Sequence, residues 1–218
     1  MILFLGVIVG ALAVGLLAGG SITRFGQLRL RWWVLAPLGL ALQGVPLPDG
    51  RHGSDLVIRM IVFGASYVLV LAFAIKNARI PGVPLIVVGL LLNSVVVTAN
   101  GGMPVSRSAL VASGQRNVLQ ILVRDEGAKH HLETTDDVLT PLGDVIPVPP
   151  PVHQVMSVGD AFVYAGLVWL IIAVMRGRSA ALDREPDVER YRGRHRRRSG
   201  MERQEPAPAE AMMSGTEP

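Results

Sequence analysis

The chain has no cysteine among its 218 residues. Disulfide bridges, thiolate metal sites and cysteine nucleophiles are therefore excluded. Charged residues are also scarce, at 17% of the chain against roughly 25% in soluble domains. Half of the residues are apolar and the mean hydropathy is +0.42. This composition argues against an ordinary soluble enzyme and against a wholly disordered protein.

The signatures of several common activities are missing as well. The sequence contains no P-loop, no Gly-x-Gly-x-x-Gly motif after a strand and no nucleophile elbow. We therefore predict no catalytic residue and no cofactor. Enzymatic activity stays open, with a non-enzymatic role favoured.

Long apolar runs dominate the first 176 residues. A helix needs about 20 predominantly apolar residues to cross a bilayer. Five runs predict transmembrane helices at residues 2–19, 32–48, 56–75, 83–100 and 155–175. Pro37 and Pro46 interrupt the second run, which membrane helices tolerate. The first run lacks the basic n-region of a signal peptide, so we interpret it as a retained helix. The predicted fold class is an all-α integral membrane protein, with a five-helix transmembrane bundle over residues 1–176.

The charges of the connecting segments predict the orientation of these helices. Basic residues follow the first, third and fifth spans, which end on the same side of a five-span bundle. They are Arg24, Arg29, Arg31, Lys76, Arg79, Arg176, Arg178 and Arg184. The long loop on the other side, residues 101–154, holds 4 basic and 6 acidic residues. Because cytoplasmic loops carry the excess of Lys and Arg, the N-terminus is predicted outside and the C-terminus in the cytoplasm.

The tail at residues 177–218 is rich in Arg, Glu, Pro and Ala and has few large apolar residues. Such a segment buries too little surface to offset its chain entropy, which predicts disorder. Its basic cluster consists of Arg192, Arg194, Arg196, Arg197 and Arg198. Contact with anionic lipids of the inner leaflet, or simple solvation, is favoured over nucleic-acid binding, because no aromatic platform for bases accompanies the cluster.

The loop at residues 101–154 is too long for a plain connection and is predicted to cap the bundle on its outer side. Residues 110–124 have an amphipathic helical pattern. One face carries the apolar residues Val111, Val118, Leu119 and Leu122, and the other carries the polar residues Ser113, Arg116, Gln120 and Arg124. This helix is expected either to lie in the membrane interface or to cover the bundle, and we favour the second position.

Polar residues at the outer ends of the spans form a candidate site. Its members are Asn93, Asn100, Asp144, Asp160 and Arg59. Arg59 and Asp160 lie at matching depths in two spans, and ionisable groups in a membrane pair with each other or line a watery cavity. We therefore predict that they interact, directly or through water. An ion pair that joins two helices is favoured over an ion or substrate path.

Two other patterns have a functional and a structural interpretation. His130, His131, Glu133 and Asp137 are weak candidates for a metal site, but their spacing matches no zinc signature, and a polar loop is favoured. Small residues repeat through the first span at Gly6, Gly10, Gly15 and Gly19. This spacing lets another helix approach closely, either within the bundle or from a partner or second copy.

Several short strings, taken in order, resemble a family of small bacterial multi-pass membrane proteins without an assigned activity, common in actinobacteria and clostridia. The strings are Asn100-Gly101-Gly102-Met103-Pro104-Val105, Leu142-Gly143-Asp144-Val145-Ile146-Pro147 and Ser157-Val158-Gly159-Asp160. The resemblance covers about residues 1–176 and implies a bacterial cell membrane. A non-enzymatic structural or partner-binding protein is favoured. Two alternatives stay open: an outer-face protein that binds or transports a small molecule or ion, and an envelope enzyme acting on lipid or cell-wall precursor.

Overall fold

The computed structural model describes residues 2–46, 53–124 and 129–178. The predicted disordered tail lies almost entirely outside these residues. The helices are α1 (Ile2–Leu17), α2 (Leu35–Gln43), α3 (Gly53–Lys76), α4 (Val83–Asn100), α5 (Arg107–Ala112), α6 (Arg116–Arg124) and α7 (Val158–Met175). Two 3₁₀ turns are Ile22–Gln27 and Thr140–Leu142. The strands are β1 (Met103–Val105), β2 (His130–Leu132), β3 (Asp144–Val148) and β4 (Gln154–Ser157).

Three helices, α3, α4 and α7, are long and apolar enough to cross a membrane by length and composition. Helix α1 is apolar, but its 16 residues are fewer than the roughly 20 that a full span needs. Helix α2 has nine residues and extends about 14 Å at 1.5 Å per residue, less than half of a bilayer core. The helix in this region is therefore shorter than the predicted span at 32–48. Turns precede Leu35, and the helix stops at Gly44, two residues before Pro46.

Helices α4 and α7 run antiparallel in close contact, and glycines make the contact possible. A Cβ atom at Gly166 would lie 2.6 Å from the carbonyl oxygen of Gly82. A Cβ atom at Gly159 would lie 2.7 Å from the carbonyl oxygen of Gly89. Each helix thus contributes glycines seven positions apart, and this spacing lets the two backbones touch.

One end of the bundle, here called the turn end, is closed by backbone contacts. The Asn77 side chain donates to the carbonyl oxygen of Arg31 at 2.8 Å and accepts from its N–H at 2.9 Å. The Met175 carbonyl oxygen accepts from Ser21 N–H and from the Arg24 guanidinium. These bonds attach the segments before α2 and after α1 to the ends of α3 and α7.

The opposite end, here called the sheet end, carries a four-stranded sheet in the order β2-β1-β3-β4. Strand β1 pairs in parallel with β2 and β3, and β3 pairs antiparallel with β4. The all-α prediction is wrong in this respect. Strands of three to five residues are too short to show the alternating pattern by which a strand is recognised.

The amphipathic helix predicted at 110–124 is divided in two. Gly114, with φ of +77°, separates α5 from α6. Helix α5 packs on β3 and β4, and α6 packs on α5 and β2. Leu119 and Leu122 are partly buried, whereas Val118 and Ile121 are exposed. The two short helices therefore cover the sheet with one part of the apolar face that the sequence indicated.

Candidate functional site

Asp160 is held in place at the start of α7 by a capping box. Ser157 Oγ accepts from Asp160 N–H at 2.9 Å, and the Asp160 carboxylate accepts from Ser157 N–H at 3.2 Å. Asn93 of α4 donates to Asp160 Oδ1 at 2.8 Å and accepts from Ser157 Oγ at 2.9 Å. The carboxylate also lies in the first turn of α7, where the helix dipole stabilises a negative charge. Asn93 and Asp160 from the predicted site are therefore in direct contact.

Asp144 begins β3, which pairs there with Ser157 of β4. The residue is 8% exposed. Burial, and then the negative charge of Asp160, raise the pKa of Asp144 to about 7. Among the described residues no hydrogen bond ends on its carboxylate, and Oδ2 lies 3.7 Å from Nε2 of the His130 ring, whose pKa is lowered by burial.

The two aspartates share one cavity at the sheet end, here called the aspartate cavity. Its volume is about 190 Å³. Four helices and the sheet contribute to its wall, including the side chains of Asp144, Asp160, Asn93, Tyr67, Phe63 and Lys129. The Lys129 ammonium donates to the carbonyl oxygen of Gln43, the last residue of α2. The short helix α2 therefore ends at this cavity.

A second and larger cavity, here called the arginine cavity, lies between α3 and the end of α4. Its volume is about 540 Å³, and Arg59, Asn100 and Asp137 contribute to its wall. Arg59 is 1% exposed. The Asn100 amide accepts from Val138 N–H at 2.8 Å and donates to the Val138 carbonyl oxygen at 2.9 Å. Asn100 thus forms one donated and one accepted hydrogen bond with the Val138 backbone, as a neighbouring strand would.

The five predicted site residues are therefore divided between two cavities. Asn93, Asp144 and Asp160 line the aspartate cavity, while Arg59 and Asn100 line the arginine cavity. The hydrogen bonds described for Asp160 come from Asn93 and Ser157. The interaction of Arg59 with Asp160 stays a prediction.

The histidine-rich segment is a strand followed by a turn. His130 and His131 are neighbours on β2, and they contact different partners, Asp144 and Asp137. His131 Nε2 lies 2.9 Å from Asp137 Oδ1, and Thr134 donates its N–H and hydroxyl to Oδ2. Burial opposes ionisation of Asp137, but these hydrogen bonds outweigh it and lower the pKa of the carboxyl. Across residues 2–46, 53–124 and 129–178, His, Asp and Glu form no group of three that would hold a metal ion.

Sequence reasoning missed the aromatic and basic members of the aspartate cavity. Phe63 and Tyr67 read as ordinary apolar positions of a span, and Lys129 as a loop charge. One signal was available: Ser157-Val158-Gly159-Asp160 has the spacing of a capping box, which places its carboxylate at a helix start.

A family model described as a family of unknown function, DUF5317, matches residues 27–172. The chain belongs to this family. The resemblance that the sequence motifs indicated is thereby confirmed, and the DUF5317 region contains both cavities but not α1. The chain is also 36% identical over 110 residues to an uncharacterized protein of Thermotoga maritima, and the match covers 49% of this chain and 60% of that relative. No solved structure matches the chain.

Proposed function

We propose that this protein crosses the cytoplasmic membrane of a bacterium five times, with the sheet end outside. Helices α3, α4 and α7 have the length and composition that this arrangement needs. Helix α1 packs along α7, and α2 packs along α3, so both belong to the same bundle. The basic residues that follow α1, α3 and α7 support a cytoplasmic turn end.

We propose further that the protein binds a small molecule in the aspartate cavity. The observation that carries this function is the convergence of Asp144 and Asp160, from different elements, on one polar cavity at the helix ends. Pockets of this kind, between helices and with a few converging polar groups, are where ligands bind. The raised pKa of the buried Asp144 carboxyl adds support, because perturbed groups cluster at functional sites.

Native mass spectrometry of the purified protein in mild detergent tests this function. We expect a small molecule to remain bound to the wild type and to be lost from Asp144→Asn. Asp136→Asn is the matched control, because Asp136 is exposed and lines the arginine cavity. A wild-type spectrum without any bound small molecule, whether or not ligands are added, contradicts the proposal.

Association through α1 is a second candidate function. Gly15 contacts Met175 within the bundle, whereas Cβ atoms at Gly6 and Gly10 would meet no atom within 4 Å. These two glycines leave a shallow face of α1 open to another helix. Two differently tagged copies are expected to co-purify, and Gly6→Leu with Gly10→Leu is expected to separate them. Co-purification unchanged by the two substitutions contradicts this interface.

A further inference from the structure

The charges around the aspartate cavity are not equally compensated. Asp160 accepts hydrogen bonds from Asn93 and Ser157 and lies at the positive end of α7. The Lys129 ammonium is bound at the negative end of α2, where it caps the Gln43 carbonyl oxygen. The Asp144 carboxylate accepts no hydrogen bond from the described residues, and its ion-pair contact is with the half-exposed His130 ring at 3.7 Å. The cavity therefore has one buried carboxylate whose charge needs a cation.

Two aromatic side chains also line the aspartate cavity. Phe63 and Tyr67 stand one helical turn apart on α3, and both line the same cavity as Asp144 of β3. Carboxylates with aromatic rings form a favourable environment for organic ammonium groups, because the carboxylate pairs with the positive charge and the quadrupole of each ring face attracts it. A metal ion fits less well, since the described residues offer no group of three His, Asp or Glu ligands.

From this arrangement we infer that the aspartate cavity binds a protonated amine, with Asp144 as its counter-ion and Phe63 and Tyr67 as its aromatic wall. The inference rests on the proposed ligand-binding function and gives that ligand a chemical class. A volume of 190 Å³ corresponds to about six water molecules at roughly 30 Å³ each. The ligand is therefore an ammonium group with a short chain, either a free amine or the ethanolamine headgroup of a lipid.

Isothermal titration of the full chain in nanodiscs tests the class of ligand. The nanodiscs contain only phosphatidylglycerol, so that no lipid carries an amine, and the pH is 8, so that Asp144 is ionised. The probes are ethanolamine, tetramethylammonium and acetate. We expect the two ammonium probes to bind and acetate not to bind. Asp144→Asn is expected to weaken ethanolamine binding about tenfold or more, and Asp136→Asn to leave it unchanged.

Two further titrations test the role of the aromatic wall and distinguish a free amine from a lipid headgroup. Tyr67→Leu is expected to weaken tetramethylammonium more than ethanolamine, because a quaternary ammonium depends more on the aromatic wall. In nanodiscs with phosphatidylethanolamine, weaker binding of added ethanolamine identifies the lipid headgroup as the occupant, and unchanged binding identifies a free amine.

Acetate binding without ammonium binding overturns the inference but leaves a ligand-binding cavity in place. Ammonium binding that Asp144→Asn does not weaken also overturns it, because the cation then lies elsewhere. If no probe binds and native mass spectrometry finds no retained molecule, the proposed function itself fails.

Discussion

Ionisation of Asp144 is unfavourable in the folded protein, because its carboxyl is buried and lies near the negative charge of Asp160. Its pKa of about 7 lies above the ordinary value of 3.8, so the folded protein holds a proton that the unfolded chain has released. Stability is therefore expected to fall as the pH rises from about 4 to about 7 and to level off above that. Lys129, His130 and Tyr67 line the same cavity as this group.

Asp144→Asn removes this dependence, because an amide stays neutral at every pH. The variant is expected to melt several degrees above the wild type at pH 8, at about 2–4 °C per kcal/mol for a chain of this size, and to gain less at pH 5. Circular dichroism of thermal unfolding in detergent measures both shifts. An equal gain at pH 5 and pH 8 would show that ionisation of Asp144 is not the cause.

Gly159 marks the place where a methyl group cannot be accommodated. A Cβ atom there would lie 2.6 Å from Asn93 Cγ and 2.7 Å from the Gly89 carbonyl oxygen. Gly159→Ala is expected to destabilise the bundle by about 1–3 kcal/mol, because α4 and α7 must separate. Gly64→Ala on α3 is the control, since its Cβ would meet nothing within 4 Å, and it is expected to stabilise the helix by about 0.5–1 kcal/mol because alanine is the better helix former. Thermal unfolding that ranks the two variants equally would contradict this packing.

At the scale of elements, the apolar runs predicted α3, α4 and α7 well, because a span needs nothing but length and composition. Helix α2 and the sheet were not predictable in the same way. The end of α2 contacts Lys129, whose ammonium reaches the Gln43 carbonyl oxygen from 86 positions away. Strand β1 exists because the αL residue Gly101 ends α4 and turns Met103–Val105 against β2 and β3. Such pairings are tertiary, and a local pattern does not contain them.

The same limit applies to the site. The sequence indicated Asn93 and Asp160 because polar groups in a span need partners, and they are hydrogen-bonded to each other. It placed Arg59 with Asp160 from equal depth alone. The two side chains line different cavities, and their interaction stays a prediction.

Asn100 joins the end of α4 to the loop that follows β2. Its amide makes two bonds to the Val138 backbone, and because Val138 is exposed and water can replace the amide, Asn100→Ala is expected to cost about 0.5–1.5 kcal/mol for each lost bond. We expect faster hydrogen exchange at Val138 and its neighbours, with the rate in α4 and α7 unchanged. Exchange measured by mass spectrometry tests this, and Asn117→Ala on the exposed side of α6 is the control. Unchanged exchange at Val138 would show that other contacts hold the loop.

At the scale of the whole molecule, two observations support the proposed orientation: the hydrogen bonds between helix ends, and the positions of the basic residues. Ser21 and Arg24 bind the Met175 carbonyl oxygen, so the end of α1 and the end of α7 lie at the turn end. Arg31 binds Asn77, which brings the start of α2 to that end as well. Both connections carry the arginines that the positive-inside rule assigns to the cytoplasm. The number of crossings then depends on α1 and α2, which are shorter than a full span.

The absence of cysteine makes the number of crossings directly measurable, because one introduced cysteine is the sole thiol of the chain. Four exposed positions sample the two ends: Ile2, Gln27, Arg79 and Glu133. With five crossings, a membrane-impermeant maleimide added to intact cells labels Ile2→Cys and Glu133→Cys, while Gln27→Cys and Arg79→Cys react only after permeabilisation. The reverse pattern contradicts the orientation. Equal labelling of Ile2→Cys and Gln27→Cys shows that α1 does not cross, because a crossing helix must separate its two ends by the membrane.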